Sequence, residues 1–268
     1  MAYRYLIAID DTDDIGTRGT GDIATDIANA LLARCGGEAS WVSRHQLYVH
    51  PDIPYTSHNS AMCFVYEGEA SVSAIEAIAV AVLHAESAPA ADPGLAFVCL
   101  DDFAAQAELV DFGHSAKTQV LTKAQAYALA DSLGVHLSEH GGTGQGVIGA
   151  LAGLGLWLDG NDGRLKGHFD VGQGVSVQAG SEHAGSAKAG AGKGEHAGEG
   201  VELSVRALLT KTHVDAVIDL DDQPLPDDAR VLIQGKLKAV RRHGRSAILV
   251  SRVDGAWRNA RKQQLKDY

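Results

Sequence analysis

An acidic cluster at residues 10–14 (DDTDD) carries the strongest chemical signal in this sequence. Carboxylates this close together repel one another, so at least one of them needs a cation or a raised pKa. Their hard oxygen atoms suit Mg²⁺, which keeps part of its water shell and often bridges to substrate phosphates. The cluster therefore makes Asp10, Asp11 and Asp13 candidate metal ligands. The alternative is a solvated acidic loop whose side chains cap a helix.

A glycine-rich loop at residues 16–21 (GTRGTG) follows the acidic cluster and leads into apolar residues at helical spacing from Asp22. Backbone N–H groups at a helix N-terminus favour anions by geometry and by dipole. Acidic residues beside such a loop predict a nucleotide–metal site. Asp13 and the glycines of the loop are the candidate nucleotide-binding residues: Gly16, Gly19 and Gly21.

A second glycine loop, residues 141–146 (GGTGQG), precedes an apolar helix predicted at 147–156. It adds Gly144 and Gly146 as nucleotide-binding candidates. The loop lacks dinucleotide-type spacing after a long strand, and the P-loop pattern GxxxxGK[ST] is absent from the chain. In the alternative interpretation, the glycines of both loops only permit tight turns.

The elements that must position these residues alternate between strands and helices, which predicts an α/β body. A buried strand at 3–9 ends at the acidic cluster, and we expect two lobes that meet near a Pro/Gly/Ala connector at 88–94. The other expected strands are 41–49, 61–66, 95–100 and 135–137, and the other expected helices are 71–85 and 123–133.

The C-terminal part differs in composition. Thirteen of the 22 residues in 179–200 are Ala or Gly, which predicts a disordered insertion because no bulky apolar side chain can offset the entropy of ordering. Beyond it we expect a small β-rich element with a helical tail from Asp254. Its expected strands are 201–209, 214–220, 230–233 and 247–250.

Charge is distributed unevenly along the chain. Residues 236–266 contain ten Lys or Arg and one acid, whereas the whole chain has a net charge of −11. The basic tail indicates a contact with an anion, and Arg241, Arg242 and Arg245 are the candidates for RNA phosphates. A solvated basic hairpin is the alternative.

Composition also limits the class of protein. No apolar run is long enough to span a membrane, so no membrane partner is expected. The three cysteines are far apart and form no CxxC pair, which argues against a zinc ribbon and is typical of a reducing, cytoplasmic compartment.

Three ordered motifs resemble the archaeal tRNA-isoleucine agmatidine synthetase family. Residues 9–13 (IDDTD) match its I-D-D-T-D motif, and residues 144–152 (GQGVIGALA) match its G-x-G-x-I-G-A-L-A. Between these lie an arginine, an N-P-x-I-P-like segment with an aromatic residue, and an N-x-A. In this chain those positions are Arg44, residues 50–55 with Tyr55, and Asn59, which the resemblance makes substrate-binding candidates.

The resemblance implies the catalytic half of that family without its zinc ribbon. A kinase-like domain (1–90, completed by part of 141–178) and a ferredoxin-like portion (91–140) would precede the insertion (179–200) and a β-rich element (201–268). The family binds ATP and Mg²⁺ through its aspartates and phosphorylates a loop threonine. Thr20 matches that threonine, and Thr17 is its nearby competitor.

These observations lead to an ATP- and Mg²⁺-dependent enzyme of the kinase or ligase type. It would activate a hydroxyl or carbonyl oxygen by phosphorylation, in a reaction similar to tRNA modification, with Asp10, Asp11 and Thr20 as catalytic residues and a small amine or RNA as substrate. One alternative is a non-catalytic regulator that binds a nucleotide or RNA. Another is a Mg²⁺-dependent phosphatase that forms an aspartyl phosphate on Asp10 or Asp11.

Overall fold

The apolar segments of the sequence form helices and strands of mixed α/β class, as the alternating pattern predicts. The computed structural model describes residues 1–53, 59–171, 200–266 and 268. The helices in these ranges are α1 (Thr20–Cys35), α2 (Val72–Glu86), α3 (Gln106–Ala116), α4 (Lys123–Leu133), α5 (Gly146–Asp159) and α6 (Val205–Thr212). The strands are β1 (Tyr3–Asp10), β2 (Glu38–Ala39), β3 (Ser43–Gln46), β4 (Ser60–Gly68), β5 (Gly94–Cys99), β6 (His136–Glu139), β7 (Arg164–Leu165), β8 (Val201–Ser204), β9 (Ala216–Asp219), β10 (Arg230–Ile233), β11 (Val240–Arg242), β12 (Arg245–Val253) and β13 (Ala256–Asn259).

The described residues fall into two compact units. The first contains those of Met1–Lys166 and Val240–Gly244 together with Tyr268, and the second contains those of Gly167–Ala239 and Arg245–Lys266. The expected boundary near residue 90 lies inside the first unit, between α2 and β5. The assignment of 1–90 and 91–140 to kinase-like and ferredoxin-like domains stays a prediction.

The first unit is built on an antiparallel sheet in the order β6-β5-β1-β4-β3-β7-β11, with β2 added beside β4. The central strand β1 is apolar and buried from Tyr5 to Ile9 because both of its faces are covered there. Ile7 and Ile9 pack in one core with α1 and α2, whereas Leu6 and Ala8 pack in another with α3 and α5. All four side chains are inaccessible to water, which explains the uninterrupted apolar run before the acidic cluster.

Helix α5 lies close to the sheet because its inner face consists of small residues. A Cβ atom placed on Gly153 would lie 3.0 Å from Cβ of Ala61, and one placed on Gly113 of α3 would lie 2.8 Å from the backbone nitrogen of Leu156. Bulkier residues would therefore push α5 away from both neighbours. This packing fixes the helix N-terminus beside the end of β1.

The second unit corrects two expectations. Its sheet has the order β12-β13-β10-β8, with β9 beside β12. The predicted strand 201–209 ends at Ser204, whose hydroxyl caps α6 by accepting a hydrogen bond from the N–H of Ala207 at 3.2 Å. The predicted helical tail is also wrong: Asp254 and Gly255 have φ values of 52° and 80° and form the turn of a β12–β13 hairpin.

Two further expectations concern the insertion at 179–200 and membrane-spanning segments. The Ala/Gly-rich insertion at 179–200 lies outside the described residues, apart from Gly200. None of the helices in the described ranges has the length and apolar character needed to cross a bilayer.

Candidate functional site

A cavity of about 800 Å³ in the first unit brings most of the candidate residues together. It lies at the end of β1, beside the first turns of α1 and α5. Nine of the candidates line it: Asp10, Asp11, Asp13, Gly19, Thr20, Gly21, Arg44, Asn59 and Gly146. Motifs separated by more than 100 residues along the chain therefore face one space.

Three other candidates are not placed at the cavity. Gly16 (φ 85°) and Gly144 (φ 73°) do not line it, and both have the positive φ that favours glycine in turns. A side chain at Gly144 would also overlap the carboxylate of Glu139. Tyr55 lies outside the described residues. For Gly16 and Gly144 the local geometry fits the tight-turn interpretation.

Asp10 is the most deeply buried carboxylate at the cavity. Its side chain packs against α5 so closely that a methyl group at Gly149 would overlap it. Burial, with a smaller contribution from the charge of Asp11, raises the pKa of Asp10 to about 8. Asp10 is only 8% exposed, so its charged form is strongly disfavoured unless a cation joins it.

Asp11 continues the chain with a backbone conformation that few residues adopt. Its φ of 54° is left-handed, which turns the chain sharply at the end of β1. Burial and the nearby charges of Asp92 and Asp13 raise the pKa of Asp11 to about 6. In the described part of the chain, neither Asp10 nor Asp11 forms an ion pair with a basic side chain, and the charges that act on them are those of other carboxylates.

Asp13 and Thr20 are joined directly. The Thr20 hydroxyl donates a hydrogen bond to Oδ1 of Asp13 at 2.8 Å, and Thr20 is only 5% exposed. Thr20 is the first residue of α1, after Gly19 in extended conformation. At this position the N–H groups of Thr20 and Gly21 have no acceptor within the helix, and both residues line the cavity.

The competitor Thr17 is placed differently. Its hydroxyl accepts a hydrogen bond from the N–H of Asp14 at 2.8 Å and donates one to the carbonyl of Asp14 at 2.9 Å. It is exposed and does not line the cavity. Thr17 therefore closes the turn that leads to α1, whereas Thr20 faces the candidate site.

Sequence reasoning missed the residues that hold the second glycine loop. Asp92 accepts hydrogen bonds from the N–H of Thr143 at 2.5 Å and from its hydroxyl at 2.6 Å. Lys123 donates to the carbonyl of Thr143 and to Glu139, both at 2.7 Å. These contacts span up to 51 residues, so local spacing carried no signal for them.

Arg44 supplies positive charge at the cavity. One of its terminal nitrogens donates to Gln46 at 2.8 Å, whereas its Nε is buried without a hydrogen-bond partner in the described chain. Burial, followed by the charge of Arg164, lowers the pKa of Arg44. Asn59 lies nearby, but its amide donates to the carbonyl of Tyr48 at 2.7 Å and so holds the loop between β3 and β4.

The three candidate arginines of the basic tail are placed differently. The Arg241 guanidinium stacks on Trp157 at 3.8 Å and donates to its carbonyl at 3.2 Å. Arg242 is half-buried and Arg245 is exposed at the start of β12. An RNA contact through these three arginines stays a prediction.

The chemistry of the carboxylates fits a divalent cation bound by few protein ligands. Among residues 1–53, 59–171, 200–266 and 268, no group of three or more His, Cys, Asp or Glu side chains is arranged to hold a metal ion. Asp13 is engaged with Thr20, whereas the buried Asp10 and the half-buried Asp11 are adjacent in the chain. Magnesium commonly uses only one or two carboxylates, with waters and substrate phosphates as the remaining ligands.

Part of this chain has the fold of part of TiaS. Against a crystal structure of TiaS with an isoleucine tRNA and ATP, the TM-score is 0.51 and the sequence identity 25%. Against TiaS with an isoleucine tRNA, AMPCPP and agmatine, the values are 0.50 and 24%. Each match covers 57% of this chain and 36% of the TiaS chain.

TiaS is a tRNA agmatidine synthetase, so the resemblance carried by the three motifs is confirmed at the level of the fold. The chain spans little more than a third of the length of the TiaS chains that it matches. No protein-family model matches the chain, and no curated protein matches it.

Proposed function

We propose that this protein is an ATP- and Mg²⁺-dependent enzyme that activates an oxygen atom by phosphorylation. The observation that carries the proposal is the placement of Asp10, Asp11, Asp13 and Thr20 around one cavity at the start of α1. The likeness to the fold of TiaS, which has been crystallised with ATP, supports it. As in the family it resembles, the substrate would be an RNA or a small amine, and the chain would act in a reducing cytoplasm.

The first step is transfer of the γ-phosphoryl group of ATP to the Thr20 hydroxyl. The Thr20 oxygen forms a bond to phosphorus, the bond from that phosphorus to the β–γ bridging oxygen breaks, and ADP leaves. Asp13 accepts the hydroxyl proton, because its Oδ1 already accepts the hydrogen bond at 2.8 Å. In the second step an oxygen of the second substrate would form a bond to that phosphorus while the bond from phosphorus to the Thr20 oxygen breaks. Asp13 would return its proton to the Thr20 oxygen, and a hydroxyl substrate would release its own proton to water.

The surrounding residues would bind and orient the phosphates. The N–H groups of Thr20 and Gly21 face anions at the start of α1. Asp10 and Asp11 would hold Mg²⁺, which neutralises phosphate charge and orients the reacting group. Binding of the cation would also favour the ionised form of both carboxylates, whose pKa values burial raises. Asp13 as a third metal ligand is part of the same proposal.

The test is transfer of label from γ-³²P-ATP in the presence of Mg²⁺, followed by peptide mapping. We expect label at residue 20 in the wild-type chain and in Thr20→Ser, which keeps a hydroxyl there. We expect none in Thr20→Val or Asp10→Asn. Thr210→Val is the matched control, because that threonine is exposed, belongs to the second unit and does not line the cavity; it should be labelled like the wild type.

Three other results would each reject the proposal in a different way. Bound but unconsumed ATP would indicate the non-catalytic regulator. Label on Asp10 or Asp11 would indicate the phosphatase-like alternative. Absence of ATP binding would mean that the resemblance does not extend to function.

A further inference from the structure

Two arginines face each other across neighbouring strands of the first unit. In the antiparallel pairing of β3 and β7, Arg44 lies directly opposite Arg164. Residues directly opposite in such a pair project from the same face of the sheet, and like charges in this position destabilise it. The resemblance marked Arg44 as a candidate, but nothing in the sequence linked it to Arg164, which lies 120 positions further along the chain.

The row of residues that crosses the sheet here contains no acid. From β5 to β11 the paired positions are Leu95, Ile9, Met62, Arg44, Arg164 and Val240. The two arginines are therefore flanked by apolar side chains on both sides. Nothing in this row offsets their charge, although the chain as a whole has an excess of acids.

Neighbouring residues of the described chain do not neutralise the pair either. The Arg44 guanidinium has Gln46 as its hydrogen-bond partner and a buried Nε without one. No carboxylate in the described part of the chain forms an ion pair with Arg44 or Arg164. Both side chains are only half-exposed, so water screens their repulsion incompletely.

The segment that carries Arg164 lies close to the first turn of α1. Arg44 lines the cavity together with Thr20 and Gly21, whereas Arg164 does not line it. Lys166, two residues after Arg164, forms an ion pair with Asp22 of α1 at 2.7 Å. The same lysine packs so near Gly21 that a Cβ atom there would lie 3.0 Å from its Cδ. The end of β7 therefore adjoins the helix N-terminus that favours anions.

We propose that Arg44 and Arg164 together bind one phosphate group of a substrate. Two planar guanidinium groups on one face match the oxygens of a phosphate, and a bound oxyanion converts their repulsion into two attractive pairs. The phosphate belongs either to ATP or to an RNA backbone. The inference concerns binding alone, so it holds or fails independently of phosphoryl transfer to Thr20.

The experiment measures binding of ATP, inorganic tripolyphosphate and a short single-stranded RNA to the full chain by calorimetry. Arg164→Gln removes the charge and keeps hydrogen-bonding capacity. Arg164→Lys keeps the charge but loses the planar guanidinium group that can donate two parallel hydrogen bonds. The matched control is Arg4→Gln, because Arg4 is an exposed arginine of the same unit that pairs with Asp101 at 2.8 Å.

We expect Arg164→Gln to weaken binding of one phosphate ligand by about tenfold to hundredfold, the range for a lost charge-assisted contact. Arg164→Lys should bind with intermediate affinity, and Arg4→Gln should bind like the wild type. Weaker ATP and tripolyphosphate binding would place the nucleotide at the pair. Weaker RNA binding, with a salt dependence reduced by about 0.7 in logarithmic slope, would place an RNA phosphate there.

Thermal unfolding separates this role from a structural one. Without phosphate, Arg164→Gln should unfold at the wild-type temperature or above it, since the repulsion is relieved, and phosphate ligands should stabilise it less than the wild type. Wild-type affinity of Arg164→Gln for all three ligands would overturn the proposal, as would a lower melting temperature in phosphate-free buffer. Loss of binding in Arg164→Gln without any label on Thr20 in the wild type would reject the proposed function and leave this site standing.

Discussion

The hydroxyl of Thr20 donates a hydrogen bond to the carboxylate of Asp13 across 2.8 Å, at the first residue of α1. The six residues between them include a turn closed by Asp14 and Thr17. This turn brings the carboxylate back to the helix start. The geometry joins a potential nucleophile to a potential base, and Asp10 and Asp11 line the same cavity.

This pair predicts that Asp13→Asn slows phosphorylation of Thr20 without removing ATP binding. The amide retains the shape of the carboxylate and cannot take up the proton, so the single-turnover rate of labelling should fall about 10²- to 10⁴-fold. Rapid-quench labelling at saturating ATP measures this rate. A wild-type rate in Asp13→Asn would exclude Asp13 as the base.

Gly149 and Asp10 should be coupled energetically. A methyl group at Gly149 overlaps the Asp10 carboxylate, so Gly149→Ala should destabilise the protein by about 1–3 kcal/mol, as overpacking does. In the Asp10→Ala background the methyl group added at position 149 has room, so Gly149→Ala should lower the free energy of unfolding by less. Denaturant unfolding of the four proteins forms the double-mutant cycle. Additive effects would show that α5 shifts rather than clashes.

A buried network predicts loss of stability in acid. Nδ1 of His45 lies 2.9 Å from Asp162, whose carboxylate also pairs with Lys117, and His45 is inaccessible to water. Burial lowers the pKa of His45 below its ordinary 6.5. Burial alone would raise the pKa of Asp162, but its contacts with His45 and Lys117 lower that pKa.

The lowered pKa values of His45 and Asp162 change stability in the same direction. The unfolded chain binds a proton at His45 below pH 6.5 and one at Asp162 near the ordinary carboxyl pKa, whereas the folded chain resists both. The contribution of this network to the free energy of unfolding should therefore be greatest above pH 6.5 and fall as the pH drops below it, whereas the raised pKa values of Asp10 and Asp11 act in the opposite direction. Melting temperatures measured across this range in an Asp10→Asn, Asp11→Asn background test the trend, and unchanged stability down to pH 4 in that background would contradict it.

Substitution isolates the contribution of Asp162. Asp162→Asn leaves Lys117 without its buried partner and should cost about 3–5 kcal/mol, as for other broken buried pairs. The exposed pair of Asp101 with Arg4 is the matched comparison, and Asp101→Asn should cost about 0–1 kcal/mol. Equal losses in chemical denaturation would show that burial does not distinguish the two pairs.

Asp92 should determine the order of the second glycine loop. It accepts two hydrogen bonds from Thr143, so Asp92→Ala should accelerate hydrogen exchange at the Thr143 amide and destabilise the fold by about 1–3 kcal/mol. Ser132→Ala, which removes an exposed hydroxyl of α4, is the control and should leave exchange at Thr143 unchanged. Unchanged exchange in Asp92→Ala would mean that Lys123 alone holds the loop.

Local patterns predicted much of the candidate site. The buried strand before the acidic cluster, the glycine loops and the helices that follow them are encoded within short segments, so their periodicity and spacing identified them. Helix α3 escaped this reasoning because glycine and polar residues interrupt its apolar pattern, and its apolar face is defined only by α5. The prediction of a helical tail was wrong because Asp254 and Gly255 adopt positive φ values and form the turn of a hairpin.

The sequence by itself determined the mixed α/β class, the resemblance to the agmatidine synthetase family, and the residue types that face the cavity. Only the tertiary structure decided that Thr20 rather than Thr17 meets Asp13, and that Arg44 lies opposite Arg164. Those contacts depend on the path of a turn and on the pairing of strands distant in the chain. Burial and charge act through space, and a linear pattern records neither distance nor direction between segments that folding brings together.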